Sequence, residues 1–320
     1  MNKAFFTNIK IENFKSLRSV ELKDCNRINV LIGKPNVGKS NILEALSLFQ
    51  FLDRENLLAE RLFKELIRID NATELFFDGE DNDIIKLSSN LRNIEIIYDI
   101  DKGLILDSNP RIDSEFKNRV KKYVFKTNDI QLKQNDTSNG SLVSPFGDNL
   151  LNILQTNSKL NKACRELFKE YHLQFLFDKR TKSLMIAKRT KNDVDEIPAI
   201  FTMPYGSVAD TLQRIIFYKT AIASNTDSIL LFEEPEAHSF PPYIVHITQE
   251  IINATSNQFF ITTHSPFVLD DLMQNARKEL AVYIVHWKNG ETVTTKLTDA
   301  QLEEVYQYGV DLFTNIENYF

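Results

Sequence analysis

The sequence predicts an α/β fold in which a mixed central sheet, flanked by helices, is interrupted by an inserted α+β subdomain. Three observations carry this expectation. Short apolar runs stop abruptly at Gly33, at Glu233-Glu234 and at Thr263-His264, as buried central strands do. Segments with helical spacing of apolar residues follow these runs. Both features lie near the two ends of the chain, in residues 1–52 and 199–320, while residues 53–198 read differently.

The elements follow in order. Residues 4–14 alternate apolar and polar side chains and predict a first strand. Residues 17–22 predict a second strand and 27–32 a buried third. From Ser40 to about Leu52, the apolar residues Ile42, Leu43, Ala45, Leu46, Leu48, Phe49 and Leu52 recur at helical spacing. In the interrupting segment, a charged helix is expected over about 54–69. Short strands are expected at 75–77, 84–87, 94–100 and 103–106, and a helix over about 148–171. Residues 173–177 and 183–188 predict a hairpin, and the polar stretch 129–144 predicts a mobile loop. Beyond Pro198 the expected order is a strand at 200–203, a helix at 208–223, a buried strand at 228–232 and a helix at 241–252. A buried strand at 258–262 and a strand pair at 281–287 and 292–297 complete it.

The composition excludes several classes. Of 320 residues, 42% are apolar and 26% charged, which is ordinary for a globular protein and rules out a collagen-like or mostly disordered chain. The net charge of −6 argues against a protein that coats nucleic acid, because phosphate neutralisation drives such binding. The two cysteines, Cys25 and Cys164, have no metal-ligand spacing and suit a reducing compartment. The opening residues lack the pattern of a secretion signal, and no apolar run approaches the ~18 residues of a membrane helix. A cytoplasmic location without membrane association is expected.

Three sites carry chemistry. Gly33-Lys34-Pro35-Asn36-Val37-Gly38-Lys39-Ser40 matches G-x-x-x-x-G-K-[ST] between a predicted strand and helix, the context that motif requires. Its glycines let successive N–H groups turn toward a phosphate, and the following helix N-terminus adds its positive end. Lys39 is expected to reach β- and γ-phosphates, and the Ser40 hydroxyl to ligate Mg²⁺. In Ile229-Leu-Leu-Phe-Glu233-Glu234, four apolar residues deliver two acids at a strand's carboxyl end, where open α/β sheets bind ligands. Glu233 is expected to hold magnesium, and Glu234 to orient or deprotonate an attacking water. The third is His264, ending a buried strand before Ser265-Pro266, where a neutral imidazole can donate to a γ-phosphate. The remaining histidines, His172, His238, His246 and His286, carry no such context.

These three sites, in this order, resemble the ABC-type ATPase heads shared by SMC, RecF and OLD-family proteins. Ile9-Lys-Ile-Glu-Asn-Phe14-Lys15-Ser16-Leu looks like that group's first strand. Gly33 to Asn41, Leu230 to His238 and Ile261 to Pro266 look most like OLD-type AAA ATPases. The resemblance covers about residues 1–50 and 200–320 and adds Lys15 and Asn41 to the expected nucleotide-binding set. It implies a P-loop NTPase of ABC type that forms a homodimer around ATP, a signature segment of one head capping the nucleotide of the other. Here that segment would be Ser207, Ala209, Asp210 and Thr211, without the family's usual Ser-x-Gly. Its magnesium-contacting glutamine has only Gln131 and Gln134 as candidates.

The chain ends at Phe320, too soon for the Toprim nuclease domain of some relatives. The resemblance therefore implies a separate effector protein, nuclease or toxin, in a bacterial defence system. A RecF- or SMC-like repair head that binds DNA directly is the alternative, and a transporter subunit a weaker one. Two basic clusters in the insertion bear on DNA: Lys117, Arg119, Lys121, Lys122 and Lys126 at helical spacing, and Lys179, Arg180, Lys182, Lys188, Arg189 and Lys191 around the hairpin. Charge runs of this kind are more often solvated faces.

Overall fold

The computed structural model describes residues 5–51, 53, 55–111, 114–127, 140–190 and 199–320. In chain order they form strands β1 (Ile9–Phe14), β2 (Leu17–Leu22) and β3 (Ile28–Ile32), and helices α1 (Lys39–Ser47) and α2 (Arg61–Leu66). Strands β4 (Ile85–Ser89), β5 (Asn93–Asp99) and β6 (Gly103–Asn109), the single turn α3 (Ser114–Lys117) and β7 (Val120–Tyr123) follow. Next come α4 (Leu150–Thr156), α5 (Ser158–Lys169), β8 (Leu173–Asp178), β9 (Ser183–Thr190), β10 (Ala199–Pro204) and α6 (Asp210–Ala223). The last are β11 (Ile229–Glu233), α7 (Pro241–Asn253), β12 (Gln258–Thr262), α8 (Pro266–Ala276), β13 (Leu280–Lys288), β14 (Glu291–Lys296) and α9 (Asp299–Tyr308).

Two compact units are present. The first comprises Met1–Lys122, Asp227–Pro235 and Ile251–Phe320, and the second Tyr123–Thr226 and Glu236–Glu250. In the first unit a six-stranded mixed sheet has the order β14-β13-β3-β12-β11-β7. Strands β13, β3, β12 and β11 are mutually parallel. All five residues of β3 and of β12 are buried, the state expected of central strands in a parallel sheet. Each large aliphatic side chain so buried contributes roughly 1.5–3 kcal/mol. A second sheet of this unit, β2-β1-β4-β5-β6, is antiparallel throughout.

The second unit contains the antiparallel sheet β10-β9-β8. Helix α5 buries Leu160, Cys164 and Phe168, spaced by four. Phe168 meets Phe175 of β8 at a ring-centroid distance of 4.7 Å.

The structure corrects the expected organisation at several points. Residues 53–122, expected in the insertion, belong to the first unit, because β4 pairs with β1 and brings β5 and β6 with it. The charged helix expected over 54–69 is α-helical only at Arg61–Leu66, after a single 3-10 turn at Leu57–Ala59. Glu60 and Ile67 are both extended and bound the helix on its two sides. Residues 75–77 form no strand, and Phe76 makes a single antiparallel bridge to Phe14. The long helix over 148–171 is two helices parted at Asn157, whose side chain accepts from the Leu160 N–H and caps the second.

The basic run expected as helical is helical only as far as Lys117, and its Lys121 and Lys122 lie on the strand β7. Residues 129–139 of the expected loop, with Gln131 and Gln134, lie outside the described residues. The end of that stretch is fastened: Leu142 is fully buried and its carbonyl accepts from the Tyr123 hydroxyl at 2.6 Å.

Candidate nucleotide-binding site

The phosphate-binding loop leaves the carboxyl end of β3 and enters α1. Two glycines are required there. A Cβ on Gly33 would lie 2.1 Å from the Val285 carbonyl oxygen. Gly38, the N-cap of α1, has φ 97°, and a Cβ there would lie 2.3 Å from Thr292 Oγ1. Strands β13 and β14 thus press against a loop that only glycine can thread. Asn36 is also left-handed, at φ 61°. Lys39 is buried, and its ammonium donates to the carbonyls of Gly33 (2.8 Å) and Lys34 (2.7 Å). Burial pulls its pKa down to about 8, opposed by the charges of Glu234 and Glu233. The loop therefore holds its own cation on neutral carbonyls, ready to be handed to a stronger acceptor.

The rest of the loop is held from outside. Asn41 Nδ2 donates to Ser16 Oγ at 2.8 Å, and Ser16 Oγ lies 2.8 Å from Thr292 Oγ1. Lys34 is exposed and pairs with Glu317 at 2.5 Å. Val37 is buried, whereas Pro35 and Asn36 face solvent.

Strand β11 brings the acids to the same edge. Glu233 lies level with Thr262 in the β11–β12 register, and its Oε1 accepts a hydrogen bond from the Ser40 hydroxyl. Burial would push the Glu233 carboxyl up, but Lys122, the Ser40 hydroxyl and Arg68 together hold it below its ordinary value. Glu234 has φ 43°, an uncommon conformation for a residue with a side chain and one that clusters at functional sites. Its N–H donates to the Thr262 carbonyl at 3.0 Å. His264 Nε2 stands 3.4 Å from Glu234 Oε1. Burial and the Lys39 charge push the His264 pKa below its usual range, against the pull of Glu234, which favours the neutral ring. Phosphate loop, Glu233, Glu234 and His264 thus converge at the carboxyl ends of β3, β11 and β12.

Residues 28–270 match the family described as "AAA domain, putative AbiEii toxin, Type IV TA system". The chain belongs to this family. Among curated proteins, a 41-residue segment is 49% identical to the uncharacterized protein MJECL10 of Methanocaldococcus jannaschii, covering 13% of this chain and 19% of that protein. A 49-residue segment is 43% identical to the DNA replication and repair protein RecF of Rickettsia massiliae, covering 15% and 14%. These matches span less than a fifth of either relative.

Among solved structures, the Smc head bound to the C-winged helix domain of ScpA superposes with a TM-score of 0.58 at 14% identity, over 94% of this chain and 99% of that one. The Smc head with an extended coiled coil, bound to the C-terminal domain of ScpA derived from Pyrococcus furiosus, gives 0.56 at 11% identity, over 95% and 99%. The fold is that of the Smc heads.

Within this AAA-family site the structure adds residues that the motifs do not announce. Glu44, one turn beyond Ser40 on α1, is fully buried. It accepts from Lys15 Nζ at 2.5 Å and from Arg68 Nε at 2.7 Å. Lys15, expected against the nucleotide, instead spends its ammonium on Glu44 and on the Arg68 carbonyl at 2.9 Å. Arg68 also reaches Glu233 Oε1 at 2.9 Å. Lys122, on β7, lies 3.7 Å from Glu233 Oε2 with its side chain 2% exposed. For Lys122 this corrects the reading of a solvated face, whereas Lys126 of the same cluster is exposed.

The candidate signature residues all lie in the second unit. Ser207 and Ala209 are exposed. Thr211 Oγ1 donates to the His238 carbonyl at 3.0 Å, so this hydroxyl is already engaged. Asp210 accepts from Arg214 at 3.1 Å and from the Thr127 hydroxyl at 3.0 Å.

The donor set fits magnesium and ATP. A serine hydroxyl and a carboxylate are hard oxygen donors, and a glycine-bearing loop at the N-terminus of α1, with the Lys39 ammonium resting on its carbonyls, fits a phosphate. Among the described residues no group of three or more His, Cys, Asp or Glu side chains forms another metal site. No helix among them is long and apolar enough to cross a membrane.

Proposed function

We propose that this chain is a magnesium-dependent ATP-binding and hydrolysing switch that forms a homodimer around ATP. The observation that carries the reading is the direct contact of Ser40 with Glu233, beside the Glu234–His264 pair. Magnesium, held by Ser40 and Glu233, would neutralise charge on the β- and γ-phosphates. The loop N–H groups and Lys39 bind the phosphate chain, Lys39 exchanging the Gly33 and Lys34 carbonyls for phosphate oxygens. Glu234 orients water and takes its proton, and its backbone strain is consistent with that task. A neutral His264 donates from one ring nitrogen toward the terminal phosphate. Ser207, Ala209, Asp210 and Thr211 are the segment proposed to meet the partner head's nucleotide.

For the biological role, the toxin–antitoxin wording of the family description supports a cytoplasmic defence ATPase acting with a separate nuclease or toxin. The RecF segment and the exposed hairpin cations Lys179, Arg180, Lys182 and Lys188 support a second reading, a DNA-maintenance head that contacts DNA directly. Calorimetric ATP titration with and without magnesium tests the first proposal, and absence of binding overturns it. Turnover in the presence of duplex DNA separates the two roles: stimulation that fades with salt selects the second.

A further inference from the structure

Glu233 offers two oxygens, and the structure loads both with side-chain cations. Oε1 accepts from the Ser40 hydroxyl and from Arg68 at 2.9 Å. Oε2 faces Lys122 at 3.7 Å. The two cations are built differently. Lys122 is buried and donates to the Leu66 carbonyl at 3.3 Å. The Arg68 side chain is 64% exposed and is shared between two carboxylates, its Nε donating to buried Glu44 and its outer nitrogen to Glu233. Glu44 also keeps Lys15 at 2.5 Å, so it would not be left without a counter-charge if Arg68 swung away.

We infer that Arg68 is a positioning residue that clamps Glu233 in the metal-free protein and is displaced when magnesium enters, while Lys122 holds the other carboxylate oxygen throughout. The inference rests on the magnesium–nucleotide reading of the site. Its geometric basis is that Arg68 occupies the oxygen turned toward Ser40, the one a metal shared by Ser40 and Glu233 would need. A divalent ion there repels the guanidinium twice as strongly as a monovalent one would. The five side chains Lys15, Glu44, Arg68, Lys122 and Glu233 already carry three positive charges against two negative. Metal alone therefore enters an unfavourable field. Metal accompanied by phosphate does not, so the clamp makes magnesium binding depend on nucleotide.

The test is a titration of the full chain with Mn²⁺, followed by electron paramagnetic resonance with and without ATP, on the parent, Arg68→Ala and Arg68→Gln. Gln keeps a hydrogen bond to Glu44 without the charge, and serves if the alanine variant does not fold. The parent is expected to bind Mn²⁺ weakly without nucleotide, and both variants at least about tenfold more tightly, the effect of removing a competing charge. The variants should melt about 2–5 °C lower than the parent without ligand and level with it in Mg²⁺ and ATP, with Arg68→Lys partly restoring the unliganded value.

Unchanged or weaker Mn²⁺ affinity in both variants overturns the clamp. So does an equal melting loss in both states, which would mark Arg68 as a structural strut to Glu44. A parent that binds neither ATP nor Mn²⁺ with ATP overturns the nucleotide reading and the clamp with it.

Discussion

The N-terminus of α1 and that of α6 belong to different units and are treated in opposite ways. Helix α1 begins at a left-handed glycine and has no acid in its first turn, and the cation that opens it rests on neutral carbonyls. Helix α6 begins at a non-helical alanine, Ala209. Its first turn holds Asp210, paired with Arg214, and Thr211, whose hydroxyl is given to the His238 carbonyl. One end is kept open for an anion by residues that bind nothing better, and the other satisfies itself within its own unit. The difference teaches that only the helix end in the first unit is left without an acid in its first turn. Any contribution from α6 must compete with bonds it already has.

Removing the open end's cation gives the largest expected effect. Lys39→Ala deletes two charge-assisted contacts, each about 1.5–3 kcal/mol, so ATP affinity should fall by roughly 10²–10⁴-fold in a fluorescent-nucleotide titration. Affinity within a factor of ten of the parent would move the anion away from α1 and break the contrast. Glu234→Gln comes next. An amide cannot take the proton from water, so turnover should drop about 10²–10⁴-fold with ATP affinity nearly unchanged. Parental turnover in this variant would transfer the role to Glu233 or Glu236.

Gly38→Ala attacks the open end's geometry. A left-handed alanine costs about 1–2 kcal/mol, and its Cβ meets Thr292 Oγ1 at 2.3 Å. Affinity should fall roughly tenfold and the melting temperature by about 2–4 °C per kcal/mol. A variant that keeps both would show that β14 can retreat and that the loop is not held as tightly as its contacts imply.

The same contrast explains what was legible in the sequence. Strands β3, β11 and β12 could be read because burial on both faces leaves runs that are mostly apolar, with Asn29 the one polar residue inside β3, and the chemistry sits where those runs stop. Their sheet neighbours were less legible. Val120, Lys121, Lys122 and Tyr123 do not alternate apolar and polar, so nothing in them outweighs the helical spacing of Lys117 and Lys121, and only pairing beside β11 makes the segment a strand. Lys122 therefore read as surface charge. Glu44 left a usable signal, a carboxylate among Ile42, Leu43, Ala45 and Leu46 on the buried side of α1, which demands a partner. Arg68 left none, since its role depends on a tertiary contact and on a helix that ends early. The site's core thus follows local pattern, and its electrostatic tuning follows long-range packing.

The smallest expected effect concerns the self-satisfied end. Asp210→Asn removes an i,i+4 ion pair in which Arg214 is 15% and Asp210 39% exposed, worth about 0.3–0.5 kcal/mol. It also removes a favourable charge at a helix N-terminus, worth about 0.3–1 kcal/mol. Asparagine can still accept from Thr127. The net loss should lower the melting temperature by about 1–3 °C and leave the ATP affinity of the dilute chain within about twofold. Association should respond in the other direction. If α6 meets a partner's phosphate, removing a negative charge there should strengthen ATP-driven dimers of the Glu234→Gln chain, read by sedimentation velocity. Unchanged association would take the α6 terminus out of the dimer contact. A tenfold loss of ATP affinity in the dilute chain would do more, placing α6 in the nucleotide site of its own chain and erasing the distinction between the two helix ends.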